Sequence, residues 1–164
     1  MARRNQAAPI ALGGIFASLA VVVMCFGGMI PAATFICPML CMLLLSVVIK
    51  RCNSRIGWAW YGAVAILSLL LSADKEAAAV FVFLGYYPIL KPKLDKLRLK
   101  WLWKLILFNA AILLLYTLLL HVFGVAQVIE DFAELGTVMT VVTLVLGNIT
   151  FLMLDRLLSI RFKI

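Results

Sequence analysis

Residues 101–123 read WLWKLILFNAAILLLYTLLLHVF. Asn109 and His121 are polar interruptions in a run longer than the roughly 20 residues that cross a bilayer core about 30 Å thick. The stretch therefore reads as a membrane span. The whole chain agrees, with 66% hydrophobic residues, 13% charged and a mean hydropathy of +1.15 over 164 residues. Ordinary soluble domains hold about 45–50% apolar and about 25% charged residues. No water-soluble fold hides so much apolar surface in so short a chain, and a separate soluble catalytic domain does not fit.

Outward from that run, further apolar stretches cover about 9–26, 32–49, 56–71, 77–90 and 137–158. The expected architecture is all-α: a single polytopic membrane domain over 1–164 with about six helices. The first stretch, behind Arg3 and Arg4, is too long for a signal-peptide core and is expected to stay attached. Pro38 should kink the second helix, because proline removes a backbone donor and crowds the preceding turn. Trp58, Trp60 and Tyr61 mark the entry of the third as an interfacial aromatic belt. The fourth is short, and its ending, Gly85-Tyr86-Tyr87-Pro88, predicts an irregular last turn. From 91 to 100, basic residues alternate with Leu94, Leu97 and Leu99, which predicts an amphipathic segment on the membrane surface. The acidic stretch 127–134 reads as a short helix or loop before the last span.

Charge orders these spans. The net charge of +8 would suggest nucleic acid in a soluble protein, but here the basic residues cluster at the ends of apolar runs. No nucleic-acid partner is expected. With both termini in the cytoplasm, Arg3, Arg4, Lys50, Arg51, Arg55, Lys91, Lys93, Lys96, Arg98, Lys100, Lys104, Arg156, Arg161 and Lys163 share one side. Lys75 alone falls outside, together with Asp74, Glu76, Glu130, Asp131 and Glu134. The implied location is a cell membrane, with the lipid bilayer as first partner.

Catalytic arrangements are missing. One histidine, His121, cannot build a zinc site or a histidine-based triad alone. No Walker loop, dinucleotide fingerprint or His-Glu-x-x-His pattern occurs, so no enzyme and no cofactor is expected. Cys25, Cys37, Cys41 and Cys52 read as small buried hydrophobes, and no metal site is expected. The informative residues are polar ones inside spans. Asn109 and Asn148 each carry an amide into hydrocarbon and must face a partner helix or a cavity. Asp155, followed by Arg156, reads as one half of an interfacial ion pair. The first helix carries two small-residue pairs at helix-contact spacing, Gly13 with Ala17 and Gly14 with Ser18.

That layout resembles the substrate-binding S component of energy-coupling factor transporters, small bacterial membrane proteins of about six helices. In that family an Ala-x-x-x-Ala face on the first helix meets a shared transmembrane coupling subunit that works with ATPases. Gly13 and Ala17, flanked by Gly14 and Ser18, are the similar positions here. The resemblance implies a vitamin-like small-molecule ligand held toward the outer face, in the regions 27–34, 72–81 and 120–140. Asp74, Glu76 and Asn148 are the candidate ligand-binding residues on that reading. Two alternatives remain: a structural subunit of an envelope-building complex, similar to the rod-shape-determining MreD proteins, and a small intramembrane enzyme.

Overall fold

The computed structural model describes residues 7–27, 33–96, 98–118 and 126–163. Among them every regular element is helical: α1 (Ala7–Phe26), α2 (Ala33–Arg51), α3 (Ser54–Leu71), α4 (Lys75–Leu84), α5 (Tyr87–Leu94), α6 (Lys100–Leu118) and α7 (Ala126–Lys163). The segments Thr34–Arg51, Ser54–Leu71, Trp101–Leu118 and Val141–Ile160 are long and apolar enough to cross a membrane, and Ile10–Phe26 is a shorter apolar helix. Their outward faces carry large apolar side chains, among them Ile15 at 67% exposed and Leu70 at 71%. Apolar surface on that scale belongs in lipid rather than water. The protein is a multi-pass membrane protein by the length, composition and surface of these helices.

The chain divides into two compact units, 1–91 and 92–164. In the first, α1 packs on α2 and α3, and α4 packs on α2 and α3. Cross-ties fix the order of ends. Trp60 Nε1 donates to the Gly13 carbonyl at 3.1 Å, Cys41 Sγ to the Ala20 carbonyl at 3.5 Å, and Ser72 Oγ to the Met24 carbonyl at 3.0 Å. The start of α1, the end of α2 and the start of α3 therefore share one end of the unit, and Lys50, Arg51 and Arg55 mark it. Basic residues in the last turn of α2 also oppose the negative end of the helix dipole.

Local chemistry sets the joints. Asn53 caps α3, its side chain accepting from the Ser54 N–H at 2.7 Å. Four residues beyond that cap, α2 and α3 come so close that a Cβ on Gly57 would sit 2.8 Å from Ile49 Cγ1. At the far end, Ser72 closes α3 through its N–H to the Ser68 carbonyl at 2.9 Å, and Lys75 Nζ donates to the Leu69 carbonyl at 2.8 Å. Pro38 lies inside α2, fully buried, where it forgoes a bond to the Thr34 carbonyl.

The stretch expected as one helix over 77–90 is two helices. α4 ends at Leu84, α5 starts at Tyr87, and α5 runs on through Lys91 into the stretch expected to be a separate surface segment. The cause lies at 85–88. Pro88 has no N–H to offer the Leu84 carbonyl, so the α-helical ladder loses a bond there. Gly85 sits so close to the Phe81 carbonyl that a Cβ there would overlap it. The Tyr61 hydroxyl donates to the Val82 carbonyl, one of the acceptors left over at the end of α4. Ala77, Ala78, Ala79, Val80 and Phe81 are all buried, as expected of a helix apolar on every side.

In the second unit, α6 packs against α7. α7 is continuous in outline but breaks at Gly136, whose φ of 49° and ψ of −122° suit glycine rather than a residue with a side chain. The break separates the acidic stretch from the apolar one, at the boundary the sequence predicts between 127–134 and 137–158. The expected end of the fifth span, 119–123, lies outside the described residues.

Candidate functional site

No single cleft gathers the candidate residues, and each is best followed where it stands. Asp74 occupies the N-cap of α4: its Oδ1 accepts from the Ala77 N–H at 2.9 Å and its Oδ2 from the Thr34 hydroxyl at 3.1 Å. The carboxylate thus satisfies a free N–H at the helix start and ties α4 to the beginning of α2, a role in which such residues contribute about 1 kcal/mol. Glu76 follows in the first turn of α4, half-buried, where a negative charge favours the helix dipole.

Asn148, the third candidate ligand residue, faces Asn109. Asn109 Nδ2 donates to Asn148 Oδ1 at 3.3 Å, and Asn148 Nδ2 returns a bond to Asn109 Oδ1 at 3.0 Å. Each Nδ2 also donates to its own helix, Asn109 to the Leu105 carbonyl at 2.9 Å and Asn148 to the Leu144 carbonyl at 2.8 Å. Every amide N–H has an acceptor and each side-chain carbonyl a donor. Two amides in hydrocarbon are thereby made compatible with it.

Between one and two turns away the same two helices hold an ion pair. Lys104 Nζ lies 3.0 Å from Asp155 Oδ1 and 2.5 Å from Asp95 Oδ1. Lys104 is 4% exposed and Asp155 5%. The expected partner of Asp155 was its neighbour Arg156; the observed one comes from α6. Adjacent residues on a helix point about 100° apart, so Asp155 and Arg156 cannot share one inward face. Lys104 is the functional-looking residue that sequence reading missed, having been counted only for charge. The available signal was its position in an antiparallel pair: 104 with 155, 108 with 151 and 109 with 148 form one register. Phe108 and Phe151 fill the gap between the polar layers, stacked with ring centroids 4.5 Å apart.

The small-residue positions of α1 divide between two faces. Gly13 is buried and its carbonyl is held by Trp60, whereas Gly14 and Ser18 are exposed and Ala17 lies between. The Ser18 hydroxyl turns back to the carbonyls of Gly14 at 3.2 Å and Ile15 at 3.0 Å. A Cβ added at Gly13 or Gly14 would meet nothing within 4 Å. The face is shallow, self-satisfied in hydrogen bonding and open.

The cysteines are free. Cys37 and Cys41 are buried as expected, but Cys25 is exposed, with its Sγ 3.8 Å from the Leu71 carbonyl. Among the described residues no group of three or more His, Cys, Asp or Glu side chains is placed to hold a metal ion. His121 and the side chains of Glu130, Asp131 and Glu134 lie outside the described residues. Ser68 Oγ is buried without a hydrogen-bond partner, the one such side-chain atom among the described residues. No protein-family model matches the sequence, and no curated protein or solved structure matches it either.

Proposed function

We propose that this chain is a membrane-embedded substrate-binding subunit of an uptake transporter of the energy-coupling factor type, docking through α1 on a transmembrane coupling subunit that works with ATPases. The observation that carries this reading is the open Gly14 and Ser18 face. Small side chains with satisfied polar groups let a second helix approach closely in lipid, where association depends on packing rather than on a hydrophobic drive. The six-span layout belongs to the same proposal. α4, about 15 Å long at 1.5 Å per residue, and α5, about 12 Å, together supply the fourth crossing as a broken helix. Both termini and the basic ends lie in the cytoplasm, and the ligand enters near Asp74 and Glu76 from outside.

The test is copurification from the native membrane. Replacing Gly14 and Ser18 together with leucine should leave the melting temperature of the isolated protein unchanged, since leucine suits a lipid-facing position. The same variant should lose an ATPase-bearing partner that the unaltered protein retains. Retention of the partner by the variant, or its absence from the unaltered protein, would remove the reading. Leucine at Gly13 and Ala17 is a less selective probe, because Gly13 is buried beside Trp60.

A second reading, a non-catalytic structural subunit similar to MreD, draws on a different observation. Asp74 and Asn148 already have internal partners. Native mass spectrometry of the purified protein separates the two: a bound small molecule supports the transport subunit, and an adduct-free spectrum beside envelope-building partners supports the structural one.

A further inference from the structure

At the basic end of the first unit, Ala8, Leu12 and Phe16 of α1 and Val47 and Arg51 of α2 line an open groove of about 440 Å³. Its walls are apolar except for the guanidinium at one end. The three α1 residues recur every fourth position, so the groove follows that helix for about 12 Å. That is close to the roughly 15 Å depth of one leaflet's hydrocarbon.

Within the first unit no acidic side chain shares the end that carries Arg51. The first unit contains only two acidic residues, Asp74 and Glu76, and both stand at the opposite end, beyond α3. Lys50 and Arg55 add further positive charge on the same side as Arg51. The combination is an apolar channel about one leaflet deep, open along its length, with the Arg51 guanidinium at its interfacial end.

We infer that this groove binds one anionic phospholipid, with an acyl chain along Leu12, Phe16 and Val47 and the phosphate on Arg51. A protein helix is the poorer occupant, because it would leave Arg51 facing another peptide surface without a phosphate or carboxylate. The site goes beyond the proposed docking function and is separate from it. Leu12 and Gly14 differ by two positions, hence by roughly 200° around α1, so lipid and partner would occupy opposite sides of the helix.

Native mass spectrometry of the full chain in mild detergent tests this with three probes: phosphatidylglycerol, phosphatidylcholine with the same acyl chains, and soluble glycerol 3-phosphate. The unaltered protein should retain one phosphatidylglycerol in preference to phosphatidylcholine and show no glycerol-phosphate adduct. Arg51→Gln, a change at an exposed residue, should cut that preference by about fivefold, the worth of one basic side chain at a membrane surface. Leu12→Trp should fill the groove and abolish retention of both lipids, whereas Leu19→Trp, on an exposed position outside it, should not. An unchanged preference in Arg51→Gln would overturn the assignment. Displacement of the lipid by glycerol 3-phosphate at equal concentration would also overturn it, making Arg51 a site for free anions.

Discussion

Asn109 illustrates how a single polar residue is made to fit a membrane helix. Its amide is satisfied only because Asn148 arrives at the same depth from α7, and truncating either leaves the other with an unmatched N–H and carbonyl. Asn109→Leu should therefore lower stability by about 1–3 kcal/mol, the usual cost of an orphaned buried polar group. Leucine at both 109 and 148 should recover much of that loss. Thermal denaturation of the two single variants and the double, as a cycle, gives the coupling; values near 0.6–1.7 kcal/mol are typical of interhelical hydrogen bonds in membranes. Full additivity would mean that the pair does not form. The sequence showed that both amides needed partners, and even that an interhelical bond was one solution. It did not show that each would satisfy the other, because pairing depends on the register of α6 against α7, which hydropathy does not encode. Asp74 was harder still to read. As a charged turn residue it looks like a ligand contact, and only the positions of Thr34 and the Ala77 N–H reveal a cap.

At the scale of the element, close approach and helix breaks decide the architecture. Gly57 and Gly62 lie on the same helix and look alike in sequence. Only Gly57 faces Ile49 across a gap too small for a methyl group, while Gly62 has nothing within 4 Å of its would-be Cβ. Gly57→Ala should cost about 1–3 kcal/mol through overpacking, and Gly62→Ala should be neutral or stabilise by up to about 1 kcal/mol through helix propensity. Melting temperatures in one detergent distinguish these outcomes, and equal shifts would contradict the α2–α3 packing. The hairpin of α6 and α7 offers a second test. Asp155→Asn removes one of the two carboxylates on a buried ammonium, and because Asp95 still holds it the cost should stay below the about 3–5 kcal/mol of a fully broken buried pair, a cost that Asp95→Asn combined with Asp155→Asn should reach. Lys104→Met combined with Asp155→Leu should be far closer to the unaltered protein, because the charge left over, on Asp95, is half-exposed rather than buried. Helix boundaries near 53, 74 and 136 were legible as gaps between apolar runs, although the caps and the backbone break that make them were not. The break at 85–88 was visible in Gly85 and Pro88 as an irregular turn. Its consequence, a short buried α4 followed by a separate α5, depends on contacts with α2, α3 and Tyr61 that no local pattern contains.

For the whole molecule, charge is the property that connects sequence, fold and orientation. Within the first unit the cross-ties from Gly13 to Trp60 and from Met24 to Ser72 put Lys50, Arg51 and Arg55 at one end and Asp74 at the other. Positive charge resists transfer across the membrane during insertion, so the basic end should stay in the cytoplasm. In the second unit Lys104, near the start of α6, is tied to Asp155, near the end of α7, so the basic segment 91–100 and the basic residues from Arg156 onward also belong to a common end. Positive-inside orientation applied to each unit separately predicts the same side for Asn53 and Lys96, and the opposite side for Ala73. Single cysteines at 53, 73 and 96, in a background with Cys25, Cys37, Cys41 and Cys52 replaced by serine or alanine, make this measurable with a membrane-impermeant maleimide on intact cells. Position 73 should label, and positions 53 and 96 should label only after the membrane is permeabilised. Labelling at 96 but not at 53 would mean that the chain crosses an odd number of times between them, so α4 and α5 could not together form one complete crossing after α3. Labelling at both 53 and 96 with none at 73 would invert the protein, placing Arg51 and its groove in the outer leaflet and the Asp74 turn in the cytoplasm. That outcome would leave the packing of each unit intact but remove the outward ligand entry on which the transport reading depends.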